Sequence, residues 1–223
     1  MNGKKKIDFN SKINLLLKNV DANHKKYYSI NTFFGPSLFF HKKALIKSGN
    51  QLEYIYAVLT SWGMHRMGKG GAKMTDFKTF SKSIVSIQKE LKQLKNKKLE
   101  NLEEKDFNIL EKIFKKIKVM QSKTKIVGNS KVMAHLLPNI VPPIDREYTF
   151  FFLKGSKYIN NDIDKEWIIF KKFLQEFFMK VANNEDFQKK SANWIKNKDY
   201  PWDTSVPKII DNLIIGIVKS MNF

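Results

Sequence analysis

An all-α fold is predicted for this chain by three observations. Apolar residues recur at steps of three and four along most of its 223 residues. No strictly alternating apolar–polar run reaches the length of a convincing strand. There is no cysteine, so packing alone must hold the interior, and 42% hydrophobic residues with 18 phenylalanines supply a globular core.

The elements follow in order. "SKINLLLKNV" reads as a short amphipathic helix with Asn10 or Ser11 at its cap. "NTFFGPSLFFHKKAL" breaks at Gly35–Pro36, a turn between two aromatic clusters that dock in the core. Leu52, Ile55, Val58, Leu59 and Trp62 share one helical face. Phe77, Phe80, Ile84, Ile87, Leu91 and Leu94 predict one long helix opening near Thr75 or Asp76. "KQLKNKKLENLEEKD" alternates charge and is read as the exposed end of that helix or a connection. The chain is taken as one domain over residues 1–223, and a boundary between two interleaved lobes would fall near 95–106. Further helices are predicted by Phe107, Leu110, Phe114 and Ile117, by Trp167, Phe170, Leu174, Phe177 and Val181, and by Val206, Ile209, Leu213, Ile217 and Met221.

The longest aliphatic run, "LIIGIV" at 213–218, is far short of the roughly 20 residues of a spanning helix. The first residues lack the apolar stretch and cleavage site of a signal peptide, so the cytoplasm is expected and a membrane is not. Without cysteine, thiolate metal sites and cysteine nucleophiles are excluded. His24, His41, His65 and His135 each lack a companion at ligand spacing, so neither metal nor other cofactor is expected.

Charge points to the partner. Lys and Arg number 41 against 21 acidic residues, a net +20, and such a field draws polyanions, nucleic acid foremost. The lysines are spread along the whole chain, which leaves open that the charge reflects composition alone. Only two of the basic residues are arginine, Arg66 and Arg146. Each offers a planar fork for phosphate or carboxylate, as a ligand contact or as a structural anchor.

Two segments carry chemistry. "GMHRMGKGGAK" spells the spacing of a phosphate-binding loop from Gly63, but Gly70 stands where Ser or Thr must hold magnesium, and a helix precedes it where that loop needs a strand. It remains a candidate phosphate or base contact through His65, Arg66 and Lys69, with Trp62, Met64 and Met67 read as core packing. The second segment is "KTKIVGNSKVMAHLL", followed by "LPNIVPPID" and "DREYTFFFL".

This second segment, over residues 123–153, resembles the hairpin, second helix and proline loop of the helix-hairpin-helix DNA glycosylase superfamily. Gly128 aligns with the first hairpin glycine, Ala134 with an alanine of the following helix, and Asp145 with the family's aspartate. The resemblance implies double-stranded DNA as partner. Backbone amides around Lys125, Gly128, Ser130 and Lys131 would grip phosphates, with Arg146 beside them. It implies that Asp145 faces a flipped base and assists cleavage of its glycosidic bond. Ser130 replaces the second hairpin glycine, Val132 stands where bifunctional members carry a Schiff-base lysine, with Lys131 one place earlier, and the interval to Asp145 is short. A monofunctional or inactive member is therefore the expectation. The residues themselves leave two alternatives open: a non-catalytic nucleic-acid-binding helical protein using the same basic surface, with Asp145 a plain helix cap, and a helical interaction protein.

Overall fold

The computed structural model describes residues 7–29, 35–66 and 74–221. They form an all-α globular unit. Among them no β-strand occurs, and Met74 and Met120 make an isolated antiparallel bridge.

Helix α1, Phe9–Lys18, is capped by Asp8, whose Oδ1 accepts the Ser11 N–H at 3.0 Å. The cap thus falls before Asn10 and Ser11, where an extended backbone lets a carboxylate meet the helix N-terminus. Helix α2, Val20–Tyr28, follows directly. Helix α3, Gly35–Leu45, begins at Gly35–Pro36, where a turn was expected. Proline suits a helix's first turn because its missing N–H would have no partner there. The described part of the expected aromatic cluster docks only in part: Phe40 packs on the core, while Phe39 is 53% exposed. Residues 31–34 lie outside the described residues.

Helix α4 is Gln51–Ser61 and packs along α3. The long helix expected from Phe77 is two, α5, Phe77–Val85, and α6, Gln88–Leu94. The break has a local cause. The Ser83 and Ser86 hydroxyls donate to the Phe80 and Ser83 carbonyls, and Ser83 Oγ also accepts the Lys118 N–H, so side chains compete with the helix ladder. Asp76 caps α5 as expected. The charged stretch after α6 is anchored. Leu99 and Leu102 are buried, the Leu99 N–H donates to the Asn139 carbonyl at 2.9 Å, and Lys97 pairs with buried Asp106 at 2.9 Å.

Helix α7, Glu104–Lys116, leads to α8, Ile126–Leu136. Then come the turn Arg146–Phe150 and α9, Phe151–Lys154. Helix α10, Ile163–Phe173, runs on through the wide turn Leu174–Phe178 into α11, Met179–Ala182. Helices α12, Glu185–Lys196, and α13, Val206–Ser220, complete the chain. Helix α8 packs against α3, α4, α7 and α10, which makes it the internal axis of the fold. Helix α13 lies so close to α2 that a Cβ on Gly216 would sit 2.2 Å from the Asn23 carbonyl oxygen. No helix among the described residues is long and apolar enough to cross a membrane.

Candidate functional site

The site grows out of α8, and α8 differs from the expected hairpin. Residues 126–135 are all buried within one helix. Gly128 sits in its first turn because neighbours approach closely: a Cβ there would meet Met120 Cγ at 2.6 Å and Val119 Cγ1 at 3.1 Å. The amides meant for phosphate are engaged. Glu166 Oε2 accepts the N–H groups of Lys125 and Ile126 at 2.7 and 2.6 Å, so the protein supplies its own anion to this helix N-terminus. Burial raises the Glu166 carboxyl despite these donors. Lys125 Nζ donates to the carbonyls of Met120 and Ser122 at 2.8 and 2.7 Å. The Lys125 and Ile126 amides are thus engaged within the fold, and Gly128 and Ser130 are buried in α8.

Ser130, fully buried, holds the next segment. Its Oγ accepts the Ile144 N–H at 3.0 Å and donates to the Val127 carbonyl. The segment Val141–Ile144 is buried as a loop, which strands few donors because Pro142 and Pro143 have no N–H. Ser130 satisfies the one beside Asp145. Asp145 itself is extended and doubly tied: Oδ1 accepts the Glu147 N–H at 2.8 Å, and its carbonyl accepts the Phe150 N–H at 2.8 Å across a five-residue turn. Such wide turns recur at functional sites.

Asp145 is thus a helix cap, and it is also half of a second arrangement. Its Oδ2 lies 3.1 Å from Lys131 Nζ, with the lysine side chain 9% and the aspartate 31% exposed. Burial pushes the Asp145 carboxyl up, but the Lys131 charge and the Glu147 N–H outweigh it and hold it below the usual carboxylate range. Val132, the residue in the expected lysine register, is wholly in the core. Lys131 is the side chain that reaches the cleft.

Lys131 and Asp145 line a cleft of about 300 Å³ together with Trp62, Tyr148 and Trp202. Lys131 Nζ stands 5.4 Å from the Trp62 ring centroid, a cation–π contact. Ser37 from α3 and Lys208 and Asp211 from α13 close the lining elsewhere. A wider depression of about 600 Å³ between Asn19 and Lys190 lacks aromatic walls apart from Phe187.

Behind the cleft the histidine tautomers are fixed by their partners. His135 Nδ1 lies 2.7 Å from the Lys131 carbonyl, an acceptor only, so Nδ1 carries the proton. His135 Nε2 then accepts from His41 Nδ1 at 3.0 Å, and His41 Nε2 accepts from the Thr204 hydroxyl at 3.2 Å. Both rings are neutral. Burial lowers His135 to about 4 and places His41 well below its ordinary value, and the Lys208 charge adds to both. Trp202 stacks on His41 with centroids 5.2 Å apart, so the pair also braces a wall of the cleft.

The remaining expected contacts divide. His65 is exposed on the turn Met64–Arg66, its Nδ1 3.1 Å from the Thr60 carbonyl, and it is outside the cleft lining. Lys69 and the Arg66 side chain lie outside the described residues. Arg146 follows Asp145 directly, and its Nε is buried without a hydrogen-bond partner. Among the described residues no group of three or more His, Asp and Glu converges as a metal site requires.

Sequence reading missed Tyr148, Trp202, Lys208 and Asp211, and took Trp62 for core. One signal was available. In "VPKIIDNLIIGIV" a lysine and an aspartate three apart interrupt an otherwise apolar helix, a pattern that asks for a buried partner or a ligand. No protein-family model, curated protein or solved structure matches this chain.

Proposed function

We propose that this protein binds nucleic acid, with duplex DNA as the partner, and draws one base into the cleft, where Asp145 assists hydrolysis of its N-glycosidic bond. The observation that carries the reading is the Lys131–Asp145 pair set in a cleft walled by Trp62 and Trp202. Aromatic walls suit a flipped base, which stacks between them. The Asp145 carboxylate, held below the usual carboxylate range, can stabilise the positive charge that develops on the sugar. As the C1′–N bond breaks, its electron pair leaves with the base. A water oxygen bonds to C1′, and Asp145 takes the water's proton. The net charge of +20 supports a polyanionic partner.

The reach of Lys131 into the same cleft favours a second chemistry, beyond the monofunctional expectation. Once the base is gone, the sugar's C1′ aldehyde can condense with the lysine amine, losing water to give an imine.

The test is a panel of labelled duplexes carrying uracil, hypoxanthine, 8-oxoguanine, an alkylated purine or a mismatch. Each is incubated with wild type and Asp145→Asn, then treated with alkali to cut abasic sites, while binding is measured in parallel. Product from wild type alone is expected. Borohydride present during the reaction traps a covalent adduct if Lys131 forms the imine, and Lys131→Gln abolishes it. Binding with no product from any duplex would overturn catalysis and leave a nucleic-acid-binding helical protein with Asp145 as a cap.

A further inference from the structure

We infer that Lys208 and Asp211 select the base by its hydrogen-bonding edge, favouring a carbonyl beside a ring N–H, as in uracil, hypoxanthine or guanine, over an amino group beside a bare ring nitrogen. The inference rests on the base-binding reading of the cleft.

The pair is built for something other than stability. Lys208 and Asp211 side chains are 9% and 4% exposed, their charged atoms 2.9 Å apart, on a helix otherwise rich in Ile, Leu and Val. A buried ion pair is commonly matched or bettered in stability by apolar residues of the same volume. Here both members line the cleft.

Their backs are locked. Lys208 Nζ donates to Asp211 Oδ2 and to Asn212 Oδ1, the latter at 2.5 Å. The Asn212 amide is oriented from its other end, donating to Asp203 Oδ1 at 2.7 Å, and Asp203 Oδ2 meets His24 Nε2 at 2.6 Å. Asp211 Oδ1 accepts the Thr149 hydroxyl at 2.5 Å. An ammonium has three N–H groups and no acceptor; two of those on Lys208 are taken, and the third has only the Tyr27 ring, its centroid 5.7 Å from Nζ, as a weaker alternative to a carbonyl in the cleft. Asp211 keeps only lone pairs. The unfilled capacity is one strong donor next to acceptors.

A lactam edge matches that capacity: its carbonyl oxygen accepts from Lys208 and its ring N–H donates to Asp211. An amino-bearing edge brings two N–H groups to the same place. One would face Asp211, and the other would lack an acceptor or oppose the Lys208 ammonium.

Tryptophan fluorescence of the full chain provides the test, because Trp62 and Trp202 line the cleft. It is titrated with 2′-deoxyuridine against 2′-deoxycytidine, and 2′-deoxyinosine against 2′-deoxyadenosine, pairs differing only in this edge. Wild type is expected to bind the lactam member about 10- to 100-fold more tightly. Lys208→Gln alone strands a buried carboxylate and can unfold the chain, so the pair is also removed together in Lys208→Met with Asp211→Leu, with fold checked by circular dichroism. In that double variant the preference should collapse while quenching persists. Equal wild-type binding within each pair, with quenching, would overturn the edge selection and leave the base-binding reading standing, and so would a preference unchanged in the double variant. No quenching by any nucleoside, nor by the same bases in duplex DNA, would remove the base-binding reading and the inference with it.

Discussion

Replacing Ser130 by alanine tests how the site is held. The hydroxyl accepts the Ile144 N–H at 3.0 Å, one residue before Asp145, and both Ser130 and Ile144 are wholly buried. Alanine leaves that amide without a partner where water does not reach, a cost of about 1–3 kcal/mol. The second bond, to the Val127 carbonyl, is 3.3 Å long and adds little. About 2 kcal/mol is the expected loss, or a melting temperature lower by about 4–8 °C for a chain of this size. Ser130→Gly, the residue of the resembled hairpin motif, strands the same amide and adds about 1 kcal/mol of helix propensity loss. Urea unfolding with an unchanged slope reads both values. A loss below about 0.5 kcal/mol for alanine, or a glycine variant more stable than the alanine one, would refute the argument, since a hairpin would prefer glycine there.

Gly216→Ala should destabilise by about 3 kcal/mol, since its Cβ meets the Asn23 backbone oxygen at 2.2 Å and backbone cannot rotate away; denaturation reads it, and a gain in stability would contradict the close packing of α2 and α13. Acid should weaken the fold early. His135 is lowered from 6.5 to about 4, so between those values the unfolded chain binds a proton that the folded one refuses, and about 3 kcal/mol present above pH 6.5 is lost as the pH falls to about 4. His41, also lowered, adds in the same direction, whereas Glu166, raised by burial, opposes it near its own range. A urea midpoint unchanged between about pH 7 and pH 4.5 would contradict neutral, buried histidines.

The fold class was legible because amphipathic spacing is written locally. The helix ends were less so, for reasons visible in single residues: Asp8 outcompetes Asn10 as a cap, and the Ser83 and Ser86 hydroxyls divide what apolar spacing alone reads as one helix. Asp145 stood out in the sequence through its proline loop, although its short interval from the preceding helix departs from the resembled motif. Its neighbours did not, because Trp62, Trp202 and Asp211 reach the cleft only through tertiary packing, which no local pattern encodes. The engagement of the amides was hidden for a similar reason. Glu166, forty residues downstream of Ile126, answers that helix N-terminus from α10.

The cleft draws its lining from Ser37 through Ile215, nearly the full span of the described chain. No contiguous fragment holds even its two tryptophans with the Lys131–Asp145 pair unless it runs from Trp62 to Trp202. A partly made chain therefore carries its strong positive charge well before it carries a working cleft. The cleft is complete only with α13 docked, and because Ile209, Ile210, Leu213, Ile214 and Ile217 of that helix belong to the core, a lesion that loosens it opens cleft and core together.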